Sequence, residues 1–317
     1  MVYGELNEWR AQAGCDYIAV FCRPMTSMYR PKPLICLLIL CAVAACGKPA
    51  PSEDGELLVS VRPLALIARE IAGEDLPVRV LIHSGDPHHY APGVSDRAAL
   101  ERAQLVVWLG PEMESVLAKQ LALLPAERQL QLLGADGYEF RGATETDTHL
   151  WLRPRNAAVM AGHIAERLAE LQPQRADVFR ERARDISREM ANLQKVLDRA
   201  LWGYREVPIV VTHDAYGHFF GSAGVATKAL SGTGRGGHGA RALLELRGAG
   251  DGCLFGEVPE NDRDRQLAEN LDLRYAALDP LGSRLLAGAG YRELIEQLLA
   301  QARACLAQVP DSGEGTG

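Results

Sequence analysis

Four side chains of the kinds that bind divalent metals follow apolar, strand-like segments at nearly even intervals along the chain. They are His88, His149, His213 and Asp279. The intervals of 61, 64 and 66 residues are too long for one helix or hairpin to bring them together. A fold of repeated strand–loop–helix units could do so by pointing its strand ends at one cleft. Three imidazoles and one carboxylate would then form a four-coordinate site suited to Zn²⁺.

Each of the four also has an explanation that needs no metal. A histidine in a Gly- and Pro-containing turn, as at His88, is commonly solvated. His149 precedes Leu-Trp-Leu and fits a half-buried histidine, whereas Asp279 fits an ordinary Asp-Pro turn. His213 ends an apolar strand and is the strongest single candidate. The following Asp214 could orient an imidazole or cap a helix.

Short apolar runs predict the strands that would position these side chains. They are Leu57–Val61, Val78–Ile82, Leu105–Leu109, Gln129–Leu133, Ile209–Val211, Val225–Leu230, Cys253–Phe255 and Arg274–Leu278. Helical patterns separate them, so we expect an α/β fold of two βα lobes, each with a parallel four-stranded sheet. Ligands of such sheets bind beyond the carboxyl ends of the strands, where the four candidates lie.

The helical patterns fall into short segments and one long one. The short segments are Leu64–Ala72, Ser95–Ala103 with Ser95 as N-cap, Met113–Leu123, Asn156–Leu171, Tyr216–Ser222, Ala240–Arg247, Asp262–Asn270 and Tyr291–Leu306. The long segment, 174–202, carries one apolar stripe of Ile186, Met190, Leu193, Leu197 and Ala200. It would be about 40 Å long at 1.5 Å per residue, which predicts a rigid helix joining the two lobes.

The N-terminal region predicts export. A short basic stretch at 28–33 precedes twelve apolar residues, Leu34–Ala45, which fit the core of a signal peptide. Val43-Ala44-Ala45-Cys46 resembles the lipobox, where cleavage leaves a lipid on the cysteine. A signal peptide should begin at its basic end, so translation is expected to start at Met25 or Met28. The alternative is a cytosolic protein with an unusual apolar helix.

Cysteine counting is consistent with export. Of seven cysteines, four precede the proposed cleavage site and Cys46 would carry lipid, which leaves Cys253 and Cys305. Two thiols in an oxidising compartment predict a disulfide between a strand and the last helix. The alternative is two unrelated buried thiols.

The charge and aromatic content argue against nucleic acid as a partner. The net charge is −7, which gives no basic field for phosphate. Aromatic residues make up 6% of the chain, which also disfavours a surface for base stacking.

Five motifs in order resemble the metal-specific solute-binding proteins of bacterial ABC importers, especially the zinc-uptake group. They are Asp-Pro-His-x-Tyr at 86–90, Val-Val-Trp-Leu-Gly-Pro-Glu-Met-Glu at 106–114, His-Leu-Trp-Leu-x-Pro at 149–154, His-Asp-Ala-Tyr-Gly-x-Phe at 213–219 and Leu-Asp-Pro-Leu-Gly at 278–282. The resemblance implies two lobes with a rigid linking helix, metal ligands at the four candidate positions, and an ABC permease as partner. Some zinc members also carry a disulfide in the second lobe.

The chain departs from the family pattern at two places. Many zinc-specific members have a long loop rich in His and Asp before the second ligand, whereas the loop 134–148 here contains no histidine. The run Gly232–Gly239 is unusually rich in glycine and formally matches a dinucleotide-binding motif. Its late position in an exported chain favours a loop near the cleft, with His238 as an occasional metal contact.

The sequence as a whole predicts a lipid-anchored, monomeric extracytoplasmic protein that captures Zn²⁺, delivers it to an ABC permease and catalyses nothing. The predicted parts are an upstream extension with signal peptide at 1–45, a tether at 46–56, an N-terminal lobe at 57–172, a linking helix at 173–204, a C-terminal lobe at 205–309 and a disordered tail at 310–317. The alternatives are a Mn²⁺-binding relative, a zinc hydrolase with Asp279 or Glu257 as general base, and a surface adhesin. Whether Glu257, His89 or His238 contacts the metal is left open.

Overall fold

The computed structural model describes residues 55–83, 85–230 and 251–309. Several predicted features lie outside these ranges: the signal peptide with Cys46, the glycine run with His238, the helix Ala240–Arg247 and the tail 310–317. Among the described residues, none of the helices is both long enough and apolar enough to cross a membrane.

The first half of the chain forms a four-stranded parallel sheet, which we call the sheet of the N-terminal lobe. Its strands are β1 (Leu57–Val59), β2 (Val78–Val80), β3 (Leu105–Trp108) and β4 (Gln129–Gln131). Their order across the sheet is β2-β1-β3-β4, with Leu57 paired to Val78 on one side and to Leu105 on the other. The strands β1 and β3 are buried throughout, as their continuous apolar runs predict.

The second half repeats this arrangement in the C-terminal lobe. Its strands are β5 (Ile209–Val211), β6 (Thr227–Ala229), β7 (Cys253–Glu257) and β8 (Arg274–Leu278). All pair in parallel in the order β6-β5-β7-β8. The predicted α/β class and the two parallel four-stranded sheets are therefore confirmed.

Eight α-helices surround the two sheets in the described ranges. They are α1 (Arg62–Ala72), α2 (Val94–Arg102), α3 (Ser115–Leu121), α4 (Pro154–Leu171), α5 (Ala176–Leu201), α6 (Gly217–Phe220), α7 (Asp262–Asn270) and α8 (Tyr291–Leu306). The predicted N-cap at Ser95 is wrong. The N-cap of α2 is Gly93, whose backbone N–H donates to the carboxylate of Asp96 at 2.7 Å.

The long helix α5 joins the lobes, but it does not stand alone between them. Its apolar stripe is buried along α4, with further contacts to α1 and α8. The buried residues are Phe179, Ile186, Met190, Leu193, Gln194, Leu197 and Leu201. The stripe thus ends at Leu201 rather than at the half-buried Ala200.

The predicted disulfide between Cys253 and Cys305 is present and ties the start of β7 to the last turn of α8. Both cysteines are buried. The bridge fixes the C-terminal helix to the sheet of its own lobe. Cys253 begins β7 and Glu257 ends it, so the disulfide and the cleft lie at opposite ends of this strand.

Candidate metal centre

Three imidazoles from three distant loops meet in one cleft. His88 and His149 come from loops of the N-terminal lobe, and His213 follows β5 in the C-terminal lobe. One nitrogen of each ring lies within 4.8 Å of the corresponding nitrogens of the other two. The ring centroids of His149 and His213 are 4.9 Å apart. The centroid of His88 is 5.8 Å from that of His149 and 5.7 Å from that of His213. Sequence positions 61 and 64 residues apart therefore converge, as predicted.

His149 is the most buried of the three, with 4% of its surface exposed. Its Nδ1–H and its backbone N–H both donate to Asp147 Oδ1, at 2.9 and 3.0 Å. Because Nδ1 carries the proton, the lone pair of Nε2 is available for a metal ion. The indole of Trp151 packs against the ring at a centroid distance of 5.2 Å, which fixes its orientation further.

His213 is oriented by a carboxylate of its own lobe. Its Nδ1–H donates to Glu257 Oε1 at 2.9 Å, and the hydroxyl of Tyr216 donates to the same oxygen at 3.1 Å. Glu257 ends β7, the neighbour of β5 in the sheet, so the parallel register brings the two side chains together. Glu257 thus orients the imidazole through Nδ1, and the lone pair of Nε2 is again available for a metal ion.

His88 lies in a short 3₁₀ turn, 87–89, after β2. Asp86 closes this turn: its Oδ1 accepts from the backbone N–H of His88 at 2.9 Å, and its Oδ2 accepts from His89 Nδ1 at 2.8 Å. Gly85 precedes it with a φ of +87°, a conformation that favours glycine. The ring of His89 points outward and is 85% exposed.

Asp279 lines the same cavity, but its carboxylate is bound by its own loop. Oδ1 accepts from the backbone N–H and the hydroxyl of Ser283, at 2.9 and 3.1 Å. Oδ2 accepts from the backbone N–H of Arg284 at 2.8 Å and from Gln297 at 3.3 Å. The group of converging metal-binding atoms in the described ranges consists of the three imidazoles without Asp279.

The charges around the cleft act differently on two of the imidazoles. Burial lowers the pKa of His88, and the neighbouring His149 adds to this effect. Burial also opposes charge on His213, but the hydrogen bond and the negative charge of Glu257 outweigh it and raise the pKa. Of these two imidazoles, His213 is therefore the one that holds a proton more strongly against a metal ion.

The donor set fits zinc. Neutral imidazole nitrogens bind Zn²⁺ at about 2.0–2.1 Å, so ligand atoms in a tetrahedral site are about 3.4 Å apart. The three nitrogens here lie within 4.8 Å of one another, so a modest inward movement completes the geometry. The cavity that they line has a volume of about 680 Å³ and is lined by residues of both lobes.

Sequence reasoning missed the residues that hold the imidazoles in place. Asp147 lies two positions before His149, and this Asp-x-His spacing is the signal that could have revealed its role. His218 was also missed: it is fully buried and donates from Nε2 to the carbonyl of Asp147 at 3.2 Å. Asp214 could have oriented His213 or capped a helix by sequence, but the residue that orients His213 is Glu257.

Two lobes with parallel sheets, and a cleft between them that is lined by three imidazoles, are typical of two-lobed solute-binding proteins. The family model for the periplasmic component A of the zinc-uptake complex, ZnuA, matches residues 57–305. The chain therefore belongs to the ZnuA family.

Known relatives agree with this assignment, and a solved structure has a similar fold. The chain is 28% identical to the high-affinity zinc uptake system protein ZnuA of Yersinia pestis, over 84% of this chain and 96% of that protein. It is 27% identical to the protein of the same name from Paracoccus denitrificans, over 88% and 99%. The fold is similar to that of the periplasmic zinc-binding protein TroA from Treponema pallidum, with a TM-score of 0.70 at 20% identity, over 80% and 99%.

Proposed function

We propose that this protein captures Zn²⁺ outside the cytoplasm and delivers it to an ABC permease for uptake. The observation that carries this proposal is the convergence of three imidazoles from both lobes on one cavity. The relatives named as high-affinity zinc uptake proteins support it, since they match along nearly their whole length. Zn²⁺ is here the cargo of the protein, and the permease is its partner.

The proposed ligands are Nε2 of His88, His149 and His213. Asp279, the predicted fourth ligand, can join them only if a hydrogen bond from Ser283, Arg284 or Gln297 is given up, of which the one from Gln297, at 3.3 Å, is the longest. Three imidazoles favour zinc over the harder Mn²⁺, which prefers oxygen ligands. Manganese is therefore the weaker alternative cargo.

A role in transport is favoured over a hydrolase. A zinc hydrolase needs a water on the metal and a carboxylate that can take its proton. The two carboxylates considered for this role are both engaged, Glu257 by His213 and Tyr216 and Asp279 by its loop. We therefore propose that the protein binds and releases its ion without catalysing a reaction.

The parts outside the cleft follow the same proposal. We propose that the chain is exported as a monomer and held at the cell envelope through lipid on Cys46. In it, lobes at 57–172 and 205–309 flank the linking helix at 173–204. Mass spectrometry of the mature protein, purified from membranes, tests the lipid: a diacylglyceryl mass on an N-terminal Cys46 is expected, and an unmodified N-terminus elsewhere would contradict it.

Thermal unfolding with and without zinc tests the binding site. A ligand that binds only the folded state stabilises it by mass action and so raises the Tm. At a free zinc concentration of 100 times Kd, the free energy of unfolding rises by about 2.7 kcal/mol. We expect His213→Ala to lose most of this shift. His163→Ala is a matched control, because His163 lies on α4 in contact with the carbonyl of Asp136 and outside the cluster. An equal zinc shift in both variants would exclude His213 from the site.

A further inference from the structure

The loop that follows β8, residues 279–286, is held from its inner side by Asp279. The four hydrogen bonds to this carboxylate come from Ser283, Arg284 and Gln297, so all its lone pairs are occupied. Gly282, at a φ of +66°, allows the turn that folds the loop back on Asp279. The carboxylate therefore belongs to the loop as long as Ser283 and Arg284 stay where they are.

The outer side of the same loop is held by a residue of the other lobe. Arg62 begins α1, and its guanidinium donates to the carbonyl of Leu285 at 2.8 Å. It also reaches the carbonyls of Ser283 and Leu286, both at 3.4 Å. In the part of the chain that the structure describes, the side-chain hydrogen bonds from the N-terminal lobe to residues 283–286 all come from Arg62.

The two ends of the loop are thus secured very differently. The carbonyl of Pro280 accepts from the buried indole of Trp151 at 2.9 Å, and the hydroxyl of Tyr291 donates to the carbonyl of Trp151 at 2.5 Å. Leu286, at the far end, is 82% exposed. The outer end is therefore the part of the loop that can move when Arg62 is removed. It contains Ser283 and Arg284, which supply three of the four hydrogen bonds to Asp279.

We propose that Arg62 is a specificity-determining positioning residue, which decides through residues 283–286 whether Asp279 binds the metal. This inference rests on the proposed function. With Arg62 in place, the loop keeps the carboxylate and the ion meets three imidazoles. Without it, Ser283 and Arg284 move away, and the carboxylate exchanges their N–H groups for the ion.

Metal preference is the property that this exchange changes. Three imidazoles and water favour zinc, whereas an added carboxylate oxygen favours harder ions such as Mn²⁺. A weakened fold would reduce binding of both ions alike. The ratio of the two affinities therefore separates the positioning role from a merely structural one.

The experiment compares Zn²⁺ and Mn²⁺ affinities of the full chain by competition with a chromophoric chelator. We expect Arg62→Ala to raise Mn²⁺ affinity relative to Zn²⁺ by about tenfold, the effect of one hydrogen bond to a charged group. Asp279→Asn alone should leave the ratio unchanged, and adding it to Arg62→Ala should restore the wild-type ratio. Arg62→Lys keeps one donor to the loop and should fall between wild type and Arg62→Ala.

Arg292→Ala is the matched control. Arg292 also ties an element of the C-terminal lobe to another part of the protein, through Glu189 of α5 at 2.7 Å, but it does not line the cavity. An unchanged ratio in Arg62→Ala, or a raised ratio that survives Asp279→Asn, would overturn the inference. Failure of the proposed function is distinguishable, because wild type itself would then not bind zinc.

Discussion

The two ends of the cleft are built differently, although each presents a histidine to the same point. Around His149, the polar groups are buried and bonded to one another: Asp147 is 7% exposed and His218 is fully buried. Around His88, the partner side chains are open to water, with Asp86 54% and His89 85% exposed. The end around His149 is therefore a buried network of polar groups, which we call the wall. The end around His88 is a short turn on the surface.

The wall also lies where the two lobes are in contact, which limits its movement. The loop 134–148 of the N-terminal lobe packs against α6 and the turn that follows it, with Gly142 against the backbone of Gly221. The buried guanidinium of Arg153 donates to the carbonyl of Arg141 and reaches that of His218 at 3.5 Å. We call this contact between the loop 134–148 and the C-terminal lobe the clasp. We therefore expect His88 to make most of the adjustment on metal binding.

The largest effects are expected from removing a ligand at each end. His149→Ala and His88→Ala should each weaken zinc binding by more than about 100-fold, beyond the usual effect of an orienting residue. Only His149→Ala should also destabilise the metal-free protein, by about 1–3 kcal/mol, because it leaves the buried Asp147 carboxylate without its imidazole partner. Calorimetric zinc titration and urea unfolding without metal measure the two effects. Equal stability of the two variants would show that the wall is no more rigid than the turn.

The next largest effect tests the clasp. An added Cβ at Gly221 would lie 2.6 Å from Gly142 Cα, in contact with backbone that cannot give way cheaply. We expect Gly221→Ala to destabilise the protein by about 1–3 kcal/mol, as for other overpacked sites. Gly162→Ala is the control: the new Cβ meets nothing within 4 Å, and in the middle of α4 alanine should stabilise by about 0.5–1 kcal/mol. Equal Tm values for the two variants would contradict the close approach of the lobes.

The sequence predicted the central strands β1, β3 and β5 most clearly, because they are buried throughout. Short continuous apolar runs such as Leu105–Leu109 are typical of buried parallel strands. The predicted strands Ile209–Val211 and Arg274–Leu278 agree with the structure at both ends. The approach of His88 and His213 to the cleft was likewise predictable, because they follow parallel strands whose carboxyl ends lie at one edge of each sheet. His149 reaches the cleft differently, at the end of the long loop 134–148. The motif order added the family and its two lobes.

What stayed hidden depends on contacts between distant loops. The state of Asp279 is an example: its position after β8 predicts a side chain at the cleft, but only the folded loop reveals that Ser283 and Arg284 occupy its oxygens. From the sequence, Asp214 could orient the imidazole of His213, and Glu257 was considered only as a metal contact or a general base. The sheet register decides between them, since it sets β5 beside β7 and so brings Glu257 within 2.9 Å of the ring.

A smaller effect is expected from Glu257→Gln, and it should depend on pH. Zinc must displace the proton of His213, whose pKa Glu257 raises against the effect of burial, so wild-type affinity should fall as pH drops through this raised pKa. In the metal-free protein the sign is opposite: the same pair stabilises the fold at low pH, and this contribution is lost as pH rises through the raised pKa.

Without the charge of Glu257, burial of His213 is opposed only by the weaker effects of Asp86 and Asp147, so its pKa should fall and Glu257→Gln should keep its affinity to lower pH. At about pH 8 we expect the variant to bind zinc about tenfold more weakly, because the ring is less well oriented and less basic. The difference should shrink toward about pH 6. Chelator competition at several pH values measures this, and a constant ratio would assign Glu257 a role other than tuning His213.

The smallest effect is expected at the outer turn, from His89→Ala. His89 donates to Asp86 Oδ2, whereas the backbone of His88 uses Oδ1, so the turn keeps its own hydrogen bond in the variant. The pair is largely exposed, and exposed ion pairs contribute at most about 1 kcal/mol. Zinc affinity should therefore change by less than about threefold. Asp86→Asn is the matched change on the other partner: it weakens the acceptor of the His88 backbone N–H and should have the larger effect. If His89→Ala lost as much zinc affinity as His88→Ala, His89 would be a ligand and the contrast between the two ends of the cleft would not hold.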